Sequence, residues 1–291
     1  MSGFTLETTP GAAARLPDYR AHVRAGATIY ITWLHGAKLD ATIAVARRLR
    51  GEGFNPVPHL LARSIPDRRF LEETLATLTG ECGVVDVLCI AGSNATPAGE
   101  FGDTMQLLAT GLFDKYRISR IGLAGHPEGN PDIPAAELGR ALQWKNAFSR
   151  RTNAALYLTT QFCFDADPII AWDQRLQAEG NRLPIHVGIP GLATIGTLLR
   201  HAQACGIGPS MHFLSRQALN VARLMSGFVP DTIIARLAAY KAGDAKCGIA
   251  GVHLYPFGGL QQSADWAYAV ADGKFRMNPD GAGFTVELPG N

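Results

Sequence analysis

The chain has 291 residues, of which 47% are hydrophobic and 18% charged, and its net charge is +2. This composition excludes intrinsic disorder, since a chain of such length buries roughly 75% of its unfolded surface without disulfide or metal staples. The balanced charge excludes a dedicated nucleic-acid binder, which carries a marked basic excess, but leaves room for a local basic site that takes a small anion.

No apolar run reaches the ~18 residues of a membrane span, so none is expected. The opening Met1-Ser2-Gly3-Phe4-Thr5-Leu6-Glu7 lacks the basic and apolar regions of a secretory signal. Five scattered cysteines (Cys82, Cys89, Cys163, Cys205, Cys247) form no CxxC pair. Zinc-finger and thioredoxin-like readings therefore fail, and a reducing cytoplasm is the expected setting.

Taken along the chain, β-type runs are expected at 3–8, 28–33, 56–61, 84–90, 119–124, 154–160, 184–189 and 248–254. Several are continuously apolar or β-branched, as in Val84-Val85-Asp86-Val87-Leu88-Cys89-Ile90, which suits strands covered on both faces by helices. Helical patterns fill the intervals. Asp67 can N-cap a helix with Leu71, Leu75 and Leu78 on one face, and Asp167-Pro168 opens another. Ile195, Leu198, Leu199 and Ala202 repeat at helical spacing up to a stop at Gly206. Pro230-Asp231 opens a helix carrying Ile233, Ile234, Leu237 and Ala238, with Gly243 after it, and the stretch 207–247 is expected to carry two helices before the last strand. The Gly- and Pro-rich tail from Asn278 is expected to be irregular.

Eight strands alternating with helices predict an α/β protein with a closed (β/α)8 TIM barrel, one domain spanning 1–291. The rival, a doubly wound open sheet, usually carries a GxGxxG turn after its first strand, and this chain has none.

In such a barrel, chemistry gathers where strands end. Glu7 closes the first strand as a candidate acid; its plainer reading is a solvated turn residue. Thr32 can donate to a cofactor or simply satisfy backbone groups. His59, alone in an apolar run, is a candidate ligand contact or a satisfied core residue, and no HxH or HExxH spacing supports a metal. After the fourth strand, Ile90-Ala91-Gly92-Ser93 is small enough for backbone to approach a ligand, though many loops look like this. Ala124-Gly125-His126-Pro127-Glu128 ends the fifth strand in a rigid polar loop. Gln161, inside an apolar and aromatic run, must find partners or carry a desolvation cost. Its carboxamide both donates and accepts, which suits the amide-like edge of a heterocycle. Lys145, one of six lysines, reads from position as a solvated helix residue or as a phosphate contact.

In this order the segments resemble the methylenetetrahydrofolate reductase family. Phe4-Thr5-Leu6-Glu7-Thr8-Thr9-Pro10 is similar to its opening strand, and Thr32 stands where the second-strand threonine is expected. Pro58-His59-Leu60-Leu61 resembles "PHLT", and Gly122-Leu123-Ala124-Gly125-His126-Pro127-Glu128-Gly129-Asn130-Pro131 resembles "AAYPEVHPE". Thr160-Gln161-Phe162-Cys163-Phe164-Asp165 resembles "TQFFFD", the most specific of the set, followed by Pro184-Ile185-His186-Val187-Gly188-Ile189-Pro190-Gly191 and Gly251-Val252-His253-Leu254-Tyr255, similar to "PI-PGI" and "FHFYT".

The resemblance implies a barrel holding FAD non-covalently. NADH or NADPH reduces the flavin, and hydride passes to 5,10-methylenetetrahydrofolate to give 5-methyltetrahydrofolate. It implies Glu7 as the acid that helps open the folate ring and Gln161 as the pterin contact. Thr32, His59, the backbone of Ile90, Ala91, Gly92 and Ser93, Ala124, His126 and Lys145 would line FAD. A folate substrate and a nicotinamide cofactor are the partners implied; the direction of flux, including oxidation in one-carbon catabolism, and a homo-oligomer stay open.

Two departures stand out. The family's fourth-strand "LRGD" is here Ile90-Ala91-Gly92-Ser93, without the arginine or the aspartate, and Glu100 or Asp103 can replace the negative charge from the loop. In the fifth-strand loop, His126 stands where tyrosine is common and Asn130 where histidine is common. Rivals are a non-catalytic folate- or flavin-binding barrel and a Schiff-base lyase or aldolase. The last needs a lysine at a strand mouth, and none of the six lies in or just after an expected strand.

Overall fold

A computed structural model describes residues 1–34, 36–204 and 227–287. All eight expected strands form: Thr5–Thr8, Thr28–Ile31, Asn55–Leu61, Asp86–Ile90, Arg120–Gly125, Ala155–Phe162, Ile185–Pro190 and Ile249–Tyr255. They are called first to eighth here. In the order first, eighth, seventh, sixth, fifth, fourth, third, second they close into a barrel. Pairing is parallel, with Thr5 opposite His253, Ile29 opposite Pro56, Leu60 opposite Cys89 and Val87 opposite Ile121. The fold is a (β/α)8 TIM barrel. Among the described residues, no helix is long and apolar enough to cross a membrane.

Packing divides the chain into two compact units, one of Met1–Leu6, Gly125–Gly139 and Thr160–Asn291, the other of Glu7–Ala124 and Arg140–Thr159.

In the second unit the helix Arg68–Gly80 starts as its sequence predicts. The Asp67 carboxylate accepts from the Phe70 amide at 2.8 Å, and Leu71, Leu75 and Leu78 are fully buried. The helix Leu39–Gly51 buries Leu39, Val45, Ala46 and Leu49 in the same way.

This unit also contains an unexpected polar core. Tyr30, Val57, Leu88 and Tyr157 pack as one cluster. The Tyr30 and Tyr157 hydroxyls lie 2.7 Å apart, and Tyr157 donates to the Asp86 carboxylate at 2.9 Å. Arg120 stands 3.5 Å from the other carboxylate oxygen and lies over the Tyr157 ring. Gly122 makes room for this ring, since a Cβ there would come within 2.9 Å of it.

In the first unit, two expectations need correction. The helix Ala166–Ala178 is capped by Asp165, whose carboxylate accepts from the Asp167 amide at 3.1 Å; Asp167 lies in the first turn, not at the cap. Pro168 is still tolerated there, because the opening amides of a helix have no intrahelical acceptor. The tail is also not irregular throughout. Phe275–Met277 pairs antiparallel with Phe284–Val286, the turn using a left-handed Gly281 (φ 70°) and an Asn278 amide that donates to the Gly283 carbonyl at 2.9 Å. Phe284 is buried and stacks on Trp266.

The helix Ile195–Ala204 forms as expected, but its stop at Gly206 lies outside the described residues. Of the two helices expected in 207–247, one is Asp231–Gly243; residues 205–226 lie outside the described residues.

Burial pushes the Asp86 carboxyl up to about 6 from 3.8, partly opposed by Arg120 and by the Tyr157 hydrogen bond. The folded state then holds the extra proton between these two values, so stability falls as pH rises from 3.8 to about 6. Asp86→Asn keeps an acceptor for Tyr157 and removes this titration. Urea denaturation across that window should show the variant without the wild-type loss of about 2–3 kcal/mol; parallel curves would refute the assignment.

Candidate active site

The expected residues fall in both units, and each unit is described by itself. In the unit of Glu7–Ala124 and Arg140–Thr159, Glu7 is the third residue of the first strand and His59 the fifth of the third. The His59 Nε2 lies 3.4 Å from a Glu7 carboxylate oxygen, and both side chains are largely buried. The structure thus brings together a carboxyl and an imidazole from strands 52 positions apart in the sequence.

Thr32 follows the second strand, its amide held by the Thr8 carbonyl at 2.9 Å. Its hydroxyl oxygen is buried and has no hydrogen-bond partner. Such an orphan costs free energy unless something else, a water or a ligand, meets it.

Ile90 ends the fourth strand, and the backbone turns at Gly92 with φ of 91°. Glycine is required by this angle, and an added Cβ would also sit 3.4 Å from the Leu61 side chain. Ala91 is held through its carbonyl by the Arg63 amide at 2.9 Å, while Ser93 is exposed. Neither loop carboxylate takes the place of the missing aspartate. Glu100 is exposed and accepts from the Arg68 amide at 2.6 Å, and Asp103 caps the helix Thr104–Ala109.

Lys145 overturns its plainer reading. The helix Ala135–Phe148 buries it to 8% exposure, and its ammonium donates to the carbonyl of Ala124, in the fifth strand, at 3.3 Å. A lysine therefore does reach the end of a strand, by way of a helix, which the linear sequence hides. Burial pulls its ammonium down to about 8, partly offset by the charge of Asp103.

In the other unit, Gln161 is the seventh of eight residues in the sixth strand and is half-buried. Its surroundings are tightly fixed. The Thr160 hydroxyl donates to the Gln161 carbonyl at 2.7 Å and accepts from the Gly188 amide at 2.8 Å, and the Tyr255 hydroxyl donates to the Thr160 carbonyl at 3.0 Å. Gly188 permits this approach, since a Cβ there would fall 2.4 Å from the Thr160 carbonyl oxygen. The Gln161 carboxamide itself makes no hydrogen bond to the described residues. His126 is half-buried in the loop after the fifth strand, where the Gly129 amide closes a turn on its carbonyl at 3.1 Å.

Sequence reasoning assigned no role to two residues. His253 is fully buried, with Nδ1 2.8 Å from the Thr5 hydroxyl; its only sequence signal was a histidine within the last strand's apolar run. Arg63 ties down the loop after the fourth strand, and a charged residue directly after an apolar strand was its signal.

The unit of Glu7–Ala124 and Arg140–Thr159 thus carries a carboxyl beside an imidazole, a buried hydroxyl without a hydrogen-bond partner and a buried ammonium. No protein-family profile matches the chain. Over 97 residues, 33% of the chain, it is 33% identical to methylenetetrahydrofolate reductase 2 of Saccharomyces cerevisiae, covering 16% of that protein. Over 46% of the chain it is 28% identical to methylenetetrahydrofolate reductase 1 of Schizosaccharomyces pombe, covering 23% of that protein. The matched stretches thus span less than a quarter of these curated relatives. Among solved structures, an uncharacterized protein from Clostridium thermocellum that binds two copies of 5-methyl-5,6,7,8-tetrahydrofolic acid shares the fold, with a TM-score of 0.55 and 9% identity over 87% of this chain and 88% of that one. Over the matched stretches the chain is similar to methylenetetrahydrofolate reductases.

Lys145→Met should expose the cost of the buried ammonium. The folded pKa lies below the unfolded one, so wild-type stability rises with pH from about 8 towards 10.5. At pH 7 the variant should be more stable by up to about 3 kcal/mol, and its denaturation midpoint should lose the wild-type rise at alkaline pH. A destabilised variant would show that the ammonium is better matched than its single carbonyl partner implies.

Proposed function

We propose that this chain is a flavin-dependent oxidoreductase that interconverts 5,10-methylenetetrahydrofolate and 5-methyltetrahydrofolate, with FAD held non-covalently and NADH or NADPH as electron partner. The observation that carries this reading is the Glu7–His59 pair on the first and third strands, in a chain similar in sequence to methylenetetrahydrofolate reductases. A barrel of the same fold that binds methyltetrahydrofolate supports the substrate class.

The residues present fit FAD. Thr32 offers a buried hydroxyl without a partner, Lys145 a buried positive charge for a phosphate, and Gly92 a backbone clear of side chain. The backbone of Ile90, Ala91 and Ser93 would line it beside Gly92, with His59 and Ala124; for His126 the resemblance alone supports that role. When bound, FAD supplies reversible two-electron hydride chemistry.

Glu7 holds the proton taken by the folate nitrogen as the one-carbon bridge opens, with the His59 Nε2 beside its carboxyl at 3.4 Å. Gln161 matches the donor and acceptor of the pterin amide edge with its own carboxamide. The rigid Thr160–Gly188–Tyr255 contacts behind it fix the strand from which that carboxamide projects.

Glu7→Gln is the central test. Turnover should fall roughly a hundred- to ten-thousand-fold while methyltetrahydrofolate binding, followed by fluorescence titration, stays close to wild type. Unchanged turnover removes Glu7 from the mechanism. Wild-type protein that binds ligand without any turnover leaves the non-catalytic binding barrel instead.

The loop charges bear on the flavin. With Ser93 uncharged and Glu100 and Asp103 engaged elsewhere, less negative charge opposes an anionic reduced flavin. The flavin potential should therefore exceed that of relatives keeping an aspartate here, which favours the half-reaction that oxidises the methyl group; an equal or lower value in a spectroscopic redox titration rejects this.

One observation favours a second reading, a Schiff-base lyase or aldolase: Lys145, with a pKa of about 8 at a strand end, has the character of a reactive amine. Borohydride treatment with small aldehydes and ketones that leaves Lys145 unmodified removes it.

A further inference from the structure

The loop 91–102 follows the fourth strand and contains no helix or strand of its own. One residue on the neighbouring third-strand end holds most of it. Arg63 donates from Nε to the Asn94 carbonyl at 2.6 Å, from Nη2 to the Ala95 carbonyl at 2.6 Å and from Nη1 to the Gly102 carbonyl at 3.0 Å. Its backbone adds three more ties: its amide donates to the Ala91 carbonyl at 2.9 Å, and its carbonyl accepts from the Ala98 amide at 2.9 Å and from Asn94 Nδ2 at 3.1 Å.

The loop chain itself is shaped for this closeness. A Cβ at Gly99 would fall 1.6 Å from the Pro66 carbonyl oxygen, and the Glu100 amide donates to that oxygen at 3.2 Å. A guanidinium presents its donors in a rigid planar fork, so three carbonyls from both ends of a loop can meet it in few arrangements. A lysine, with one ammonium on a flexible stem, cannot impose the same shape.

We propose that Arg63 is the positioning residue for the ligand-facing backbone at Ile90–Ser93, acting through the carbonyls of loop 91–102 without touching the ligand. From the turn after the third strand it supplies the cation that Ala91, just after the fourth, does not provide. This role rests on the flavin reading above.

The test uses wild type, Arg63→Gln and Arg63→Lys, comparing FAD affinity by fluorescence titration with amide hydrogen exchange of the apo proteins. Arg63→Gln should bind FAD about ten-fold or more weakly and exchange faster within 91–102, with the barrel strands unchanged. Arg63→Lys, which keeps the charge but not the fork, should recover only part of both effects. FAD affinity equal to wild type in Arg63→Gln overturns the proposal, as does faster exchange spread through the strands, which would make Arg63 a general stabiliser. Wild type that takes up no FAD overturns the flavin reading and this role with it, and shows that before any variant is made.

Discussion

Desolvation sets the terms for this chain. A polar group drawn into a barrel costs free energy unless it is matched, and most of those buried here are. Asp86 has Tyr157 and Arg120, and His253 has Thr5. Thr8 has Tyr19 at 2.7 Å. Asp173, 1% exposed, accepts from Tyr240 at 2.7 Å, from Gln177 at 2.9 Å and from the Gly248 amide at 3.2 Å. The Thr32 hydroxyl, like those of Thr42 and Ser263 and the Trp266 indole N–H, is buried without a hydrogen-bond partner, and the Lys145 ammonium has a single carbonyl.

The same accounting applies at the end of the fourth strand. Ala91 and Ser93 place no charged side chain there that would need a partner. The loop that follows is held by the Arg63 guanidinium, from the turn after the third strand, through three carbonyls. Backbone contacts with a ligand survive a change of side chain more readily than side-chain contacts, since they depend on shape alone.

Close backbone approach is the other device that shapes both units. Gly188 lets the sixth and seventh strands pinch together behind Gln161, and Gly122 leaves the space that the Tyr157 ring fills. Neither glycine has a left-handed angle. Their requirement is room for a neighbour, a property of the packed structure that a single sequence does not display.

What the sequence determined by itself was local or periodic. The eight strands, the Asp67 cap with its Leu71, Leu75 and Leu78 face, and the strand-end positions of Glu7, His59 and Gln161 could all be read from short-range pattern. Motif order also pointed to the relatives that share identity with the chain. Tertiary structure decided the rest. Asp165 capped its helix ahead of Asp167 because cap geometry chose between two adjacent carboxylates. The tail became a hairpin because Phe284 could bury against Trp266. Lys145 turned from a solvated helix residue into a buried cation, and Arg63 from an unremarked charge into the hub of a loop. The cap is a local choice, but the other three depend on residues brought together from separate elements, and the desolvation and packing energies that choose among such contacts exist only once the chain has closed on itself.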